Sequence, residues 1–244
     1  ELPGKFSRKK GGGGSIQPTA SEACLVAMIA ARKKKLDQLG EKAEQLRDKL
    51  TFYCAASSHF CFQKAASIMG YNMKSVPTVW DPKLSNAIVD TKALEQILNK
   101  DKEDGCIPTF VSATFGTTAS ASIDPISRIG DISAEYGLWF HVDAAYAGSA
   151  LFCPEFRSLA NGIEKAQSYN FNLSKWFPAL FNSSILYVEE PKYQVESLNH
   201  TAIFIFDEAR QEDSVPDFKD YEISLGRKFK SLKIWFTLQS YGLE

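Results

Sequence analysis

The sequence predicts an α/β fold, a mainly parallel sheet with flanking helices. Three observations carry this. Apolar runs of strand length alternate with helical periodicities along most of the chain. Several runs, such as Pro108–Thr114 and Leu138–Val142, mix apolar residues with only small hydroxyl side chains or a single histidine and read as buried strands. Polar residues follow these runs closely: His59, Thr114 and Asp143 each stand just beyond a strand. Ligands of open α/β sheets bind beyond the C-terminal strand ends, so these three side chains should meet there.

Taken in order, residues 1–14 carry Ser7-Arg8-Lys9-Lys10 and then Gly11 to Gly14, a composition expected of a flexible or truncated N-terminal segment. Thr19-Ala20-Ser21-Glu22 has the spacing of a capping box and opens a helix running to Leu39. Its hydroxyls follow glycines at a helix N-terminus, so the same residues suit either a plain cap or a phosphate seat. A second helix is expected around Lys42–Leu50, a strand at Thr51–Ala55, and a helical stretch ending at Gly70, suited to a helix C′ position. Tyr71–Pro77 reads as extended. Ala93, Leu94, Ile97 and Leu98 give Thr91–Lys100 helical spacing. After the Pro108–Thr114 strand come a helix at Ile123–Tyr136, strands at Leu138–Val142 and Ser183–Val188, and a long amphipathic helix at Leu225–Tyr241.

Bulk properties narrow the function. At 244 residues the chain can build one large domain. A net charge of −1 offers no electrostatic footprint for nucleic acid or an anionic membrane surface. No apolar run reaches the length of a membrane span, and no secretory signal opens the sequence. Five cysteines without metal-ligand spacing, and three histidines apart from them, give no metal motif and suggest reduced thiols in the cytoplasm.

Chemistry concentrates at two places. The strand ending on Asp143 delivers a carboxylate to a buried strand end, and Lys175 follows Asn172 on the next unit. That is what pyridoxal phosphate chemistry needs: an amine to form a Schiff base and an acid to hold the pyridine nitrogen protonated. Taken singly, Asp143 could equally be a turn cap and Lys175 a surface lysine.

Longer motifs point further. Ser21-Glu22-Ala23, Ala113-Thr114-Phe115-Gly116-Thr117-Thr118, His141-Val142-Asp143-Ala144-Ala145-Tyr146-Ala147-Gly148 and Asn170-Phe171-Asn172 with Lys175-Trp176 resemble the pyridoxal-phosphate-dependent aromatic-L-amino-acid decarboxylases, the DOPA decarboxylase group. The resemblance runs from about Gly12 to the C-terminus. It implies a PLP-dependent transferase large domain of the aspartate aminotransferase type (fold type I) and pyridoxal 5′-phosphate as cofactor. It further implies a homodimer with sites at the subunit interface. Lys175 would be the Schiff-base lysine, Asp143 the partner of the pyridine nitrogen, and His59 the ring stacked on the cofactor. Thr114 and Ala145 would border the ring, with Thr19, Ala20, Ser21, Ser168 and Asn172 around the phosphate.

On that reading, residues 15–215 form the cofactor-binding core, and 216–244 a helix leading toward a C-terminal small domain outside this sequence. The expected reaction is decarboxylation of an aromatic L-amino acid (DOPA, tyrosine, tryptophan or 5-hydroxytryptophan). Gly226 lies where the resemblance puts Gly in aromatic decarboxylases and Ser in histidine decarboxylases. Departures from the family pattern are informative. Leu173-Ser174 replaces Pro-His before the lysine, Phe60 and Cys61 follow His59 in place of serines, and Phe204 falls where the family has a loop tyrosine. A phenyl ring has no proton to give, so an aldehyde-forming variant of the reaction is the alternative. A non-catalytic core fragment is a third reading.

Overall fold

The computed structural model describes residues 3–179, 181–199 and 217–242. Nine strands are found among them. β1 (Gly13–Gln17), β2 (Leu50–Ala55), β3 (Met73–Val76), β6 (Ile107–Thr114), β7 (Trp139–Asp143), β8 (Ser168–Asn172) and β9 (Ser184–Val188) form one sheet, and β4 (Thr78–Asp81) and β5 (Asn86–Val89) a separate hairpin. The sheet order is β1-β9-β8-β7-β6-β2-β3. Neighbours from β3 through to β8 pair in parallel, and only β9 runs against them, antiparallel to both β8 and β1.

Helices cover both faces: α1 (Ala20–Leu39), α2 (Ala43–Leu46), α3 (Cys61–Met69), α4 (Thr91–Glu103), α5 (Ile126–Tyr136), α6 (Pro191–Leu198) and α7 (Lys230–Tyr241). Strand alternation divides the core accordingly. Phe52, Cys54, Phe110 and Trp139 pack toward α1 and α3 with Ala23, Ala27, Phe62 and Ala66. Tyr53, Val111, Ala113, Phe140 and Val142 pack on the other side with Leu94 and Leu98 of α4 and Ile129 and Ile132 of α5. The buried face of α1 is mostly alanine, with Cys24, Val26 and Met28, so the helix axis can come close to the sheet. With both faces covered, burial runs without alternation through β2, β6 and β7.

Several elements differ from the sequence expectation. The segment 40–49 holds only the single turn α2 between two 3-10 turns, because most of its residues are exposed and no apolar stripe anchors a longer helix. α5 begins at Ile126, since Asp124 accepts backbone N–H groups from Val89 and Thr114 and is held out of the helix. α7 begins at Lys230, five residues later than its periodicity suggested. The glycine run is packed structure: Phe6 is buried and Gly13-Gly14 open β1. A Cβ on Gly12 would stand 2.1 Å from the Lys5 carbonyl oxygen. Gly12, Gly13 and Gly14 serve close chain approach, and Gly11 takes a φ of +88° with open space around it.

Residues 217–242 pack back on β1. The Tyr221 carbonyl accepts from Gln17 Nε2 at 2.6 Å and Gln194 Nε2 at 2.8 Å. Lys230 Nζ, buried, donates to the Ile16 carbonyl at 2.9 Å and pairs with the buried Glu222. No helix of the described residues is long and apolar enough to cross a membrane.

Candidate active site

Parallel strands carry their following loops to one edge, and five chain segments converge there. β2 leads into Ser57-Ser58-His59, β6 ends on Thr114, β7 on Asp143, and β8 on Asn172 with the Leu173–Trp176 turn; α1 brings its N-terminus. They enclose a cavity of ≈ 160 Å³. Nine of the residues singled out from sequence line it: Thr19, Ala20, Ser21, His59, Thr114, Asp143, Ala145, Asn172 and Lys175. A larger groove of ≈ 880 Å³, between β1 and residues 218–231, lacks this convergence of parallel-strand ends. Volume is therefore the poorer guide to the site.

Asp143 is 4% exposed and stands opposite Thr114 in the β6–β7 register. One carboxylate oxygen accepts from the Ala145 N–H at 3.0 Å. Among the described residues, it has no ion-pair partner within 4.0 Å. A buried carboxylate so placed favours a cationic guest. Lys175, by contrast, is exposed at the cavity rim on its four-residue turn. That turn is fixed by Asn172, whose Oδ1 accepts from the Ser174 N–H at 3.0 Å and from its hydroxyl at 2.7 Å. Trp176 meets Tyr146 edge to face at 5.1 Å, holding the turn over the β7 end.

Thr19 caps α1, its hydroxyl accepting from the Glu22 N–H at 3.2 Å, while also lining the cavity. Cap and cavity wall are thus the same residue. His59 Nδ1 accepts from the Cys61 N–H at 3.2 Å, which puts the ring proton of the neutral form on Nε2. One face of the imidazole is taken by Phe60, stacked at 4.3 Å, leaving one face for any other ring.

Ser168 is placed differently from the sequence expectation. It begins β8, at the end of the strand away from the cavity, and is fully buried. Trp139 Nε1 donates to its hydroxyl at 2.7 Å, and the hydroxyl in turn donates to His141 Nδ1 at 2.7 Å. His141 Nε2 then donates to Asn170 Oδ1 at 2.8 Å. Burial lowers the His141 pKa to about 4, so the chain runs through a neutral imidazole. The Ser168 hydroxyl is committed to this network and lies outside the cavity lining. Phe204 lies outside the described residues.

Four lining residues carried no role in the sequence reading: Cys61, Gly116, Thr118 and Tyr146. Gly116 has φ +89°, and a Cβ there would fall 2.5 Å from the Ala147 Cβ. Its motif Thr114-Phe115-Gly116-Thr117-Thr118 was the available signal. Cys61 opens α3 beside Cys24 of α1. The Cys24 thiol pKa is pushed well above its ordinary value, first by its hydrogen bond with Cys61, then by burial and by Asp143, with Lys175 opposing.

Comparison with known proteins completes the picture. The family model described as the pyridoxal-dependent decarboxylase conserved domain matches residues 1–244. The chain is 42% identical over 244 residues to tryptophan decarboxylase 2 of Oryza sativa subsp. japonica, covering 100% of this chain and 48% of that protein. It is 41% identical over 243 residues to phenylacetaldehyde synthase of Arabidopsis thaliana, covering 100% and 49%. Its fold is similar to the crystal structure of Oryza sativa TDC with PLP and tryptamine: TM-score 0.92, 34% identity, covering 99% of this chain and 50% of that one. The chain thus spans about half the length of the curated relatives it matches.

Proposed function

The chain belongs to the pyridoxal-dependent decarboxylase family, and on that premise we propose that its cavity holds pyridoxal 5′-phosphate and that the protein decarboxylates an aromatic L-amino acid. The observation that carries the reading is the buried Asp143 carboxylate, without an ion-pair partner among the described residues, in the same cavity as the exposed Lys175 amine. The donor set fits the cofactor: a deep anion for a protonated ring nitrogen, a rim amine for an aldehyde, and a helix N-terminus with two hydroxyls for a phosphate. When bound, the cofactor supplies an electron sink for the pair left behind as CO₂ departs.

Each residue then has a definite task. Asp143 keeps the proton on the ring nitrogen, and its hydrogen bond from the Ala145 N–H fixes the carboxylate's direction. Lys175 would hold the cofactor through its amine and, when free, would act as base and acid at the rim, where the Asn172–Ser174 turn places it. His59 offers its free face to the ring, backed by Phe60. Thr114 borders the ring, its hydroxyl 3.3 Å from Ser58 Oγ, and Thr19, Ala20 and Ser21 receive the phosphate at the positive end of α1. Ala145 and Asn172 complete the wall. We assign the protein to the cytoplasm, in keeping with five free cysteines, and to a homodimer.

A second product is favoured by one sequence feature. Phe204 occupies the position read as the family's loop tyrosine, and similarity to phenylacetaldehyde synthase of Arabidopsis thaliana is nearly as high as to the decarboxylases. In that reading the amino acid, oxygen and water give aromatic aldehyde, CO₂, ammonia and hydrogen peroxide, oxygen taking up the two electrons.

The test is a cofactor titration followed by visible absorbance, then product analysis with tryptophan, tyrosine, DOPA and 5-hydroxytryptophan. Saturable binding and amine or aldehyde from at least one substrate are expected. Failure to take up the cofactor at all would overturn the reading.

A further inference from the structure

Beneath the same cavity lies a side-chain cluster in which two cysteines, unused by the decarboxylase reading, stand beside Asp143. Cys24 comes from the first turns of α1, Cys61 from the first residue of α3, and Asp143 from the end of β7. All three are buried, and one ligand atom of each lies within 4.8 Å of the others. We propose that Cys24, Cys61 and Asp143 form a site for one thiophilic divalent ion of the zinc–cadmium class, occupied in competition with the cofactor.

Geometry and chemistry both support this. In tetrahedral zinc sites the metal–sulfur distance is about 2.3 Å and metal–oxygen about 2.0–2.2 Å, which puts ligand atoms roughly 3.3–3.8 Å apart. The cluster needs to contract by about 1.5 Å at most to reach that spacing. Two sulfurs and one carboxylate oxygen select a soft or borderline ion over magnesium or calcium, which take oxygen ligands. Cys61 and Asp143 line the cavity, so an ion has a route in, and a fourth position opens toward it for water. Such a three-ligand site with one open position is stable without further protein donors.

Binding releases the two thiol protons to solvent, leaving two thiolates and a carboxylate around the ion. Lys175 in the same cavity offsets part of the excess negative charge. His141 Nε2, 4.0 Å from Cys24 Sγ, adds a polar neighbour behind the inner ligand. The carboxylate that would face a ring nitrogen is consumed by the metal, so the two guests exclude each other. That exclusion rests on the proposed function; the metal site itself does not.

The experiment uses the chain kept reduced and free of cofactor. Cadmium is titrated while thiolate-to-cadmium charge-transfer absorption is followed, and the one-equivalent complex is examined by X-ray absorption at the cadmium edge. Saturation at one equivalent, two sulfur neighbours with lighter atoms completing the shell, and loss of the band in Cys61→Ser are expected. The sulfur count on the unaltered chain decides the matter even if a variant folds poorly. No sulfur neighbours, or an unchanged band in Cys61→Ser, would overturn the site. Preloading with pyridoxal phosphate should suppress cadmium uptake, and full uptake beside bound cofactor would overturn the competition. Cofactor binding by chelator-treated protein is scored separately, so a failure there counts against the decarboxylase reading alone.

Discussion

Thr114 and Asp143 stand opposite each other as the last residues of adjacent parallel strands, and the backbone continues the pairing, with the Phe115 N–H donating to the Asp143 carbonyl at 2.8 Å. The cavity floor is therefore built by sheet register, the most rigid part of the fold. Side chains placed by strands hold their position when a guest is absent.

Asp143→Asn keeps this frame and removes the charge. If the carboxylate faces a protonated ring nitrogen, cofactor affinity should fall on the order of 10²–10³-fold, the usual cost of breaking a buried charge pair. The cofactor-free variant should melt no lower than the parent, because a buried carboxylate without an ion-pair partner among the described residues has been replaced. Parallel thermal melts and cofactor titrations check both halves. A lower melting temperature with unchanged affinity would make Asp143 a structural residue.

Lys175→Ala tests the rim. Borohydride reduction of the cofactor-loaded parent should fix the label on the peptide containing Lys175, and the variant should take up cofactor without becoming labelled. Turnover should drop by at least about 10²–10⁴-fold, the range associated with losing a positioned acid–base group. A label on another lysine in the variant would reassign the nucleophile.

Much of this was legible in sequence, for identifiable reasons. β6 and β7 are rich in apolar and β-branched residues and end on Thr114 and Asp143, so the two side chains can be placed at one edge from sequence. β8 escaped because Ser168-Tyr169-Asn170-Phe171-Asn172 alternates polar and aromatic residues, yet all five are buried. Ser168 pairs with Trp139 and His141, Asn170 Oδ1 with His141 and Asn172 Oδ1 with Ser174, a long-range and local network that periodicity cannot reveal. The same network holds Ser168, which the resemblance puts near the phosphate, at the start of β8 and outside the cavity lining. β1 is masked in the sequence by Gly13 and Gly14, which permit close packing against Pro191 and Tyr187. Cys61 and Cys24 are 37 positions apart and became neighbours only through the packing of α1 on α3.

Phe204→Tyr probes the product. Without a phenolic proton at that position, the carbon exposed by loss of CO₂ stays open to oxygen, and aldehyde with ammonia and peroxide should accompany or replace amine. Restoring the hydroxyl should shift the ratio toward amine by at least about tenfold, within the range of general-acid effects. Cofactor affinity should hardly change, since ring size is kept. Stoichiometric amine from the parent in air, insensitive to the substitution, would remove the aldehyde reading.

Asp124 makes a prediction about pH. It is buried, and its two carboxylate oxygens accept from the Val89 N–H at 3.0 Å and the Thr114 N–H at 2.8 Å. Burial outweighs these hydrogen bonds and raises its pKa from 3.8 to about 6. Because the folded-state value is the higher one, the folded protein binds the extra proton between about pH 4 and pH 6. The group's contribution is therefore most favourable below about pH 4 and is lost as pH rises through about 6, by on the order of 3 kcal/mol. Asp124→Asn cannot ionise, so it lacks this slope. Its amide does place an N–H against one of the two backbone donors, at a cost of about 1–3 kcal/mol. Urea unfolding of both proteins from pH 5 to 7.5 should show the variant most destabilised at the acid end and approaching the parent at neutral pH. Parallel stability curves would mean that Asp124 is ionised throughout and that its two backbone hydrogen bonds, not its burial, govern the carboxylate that anchors the end of β6.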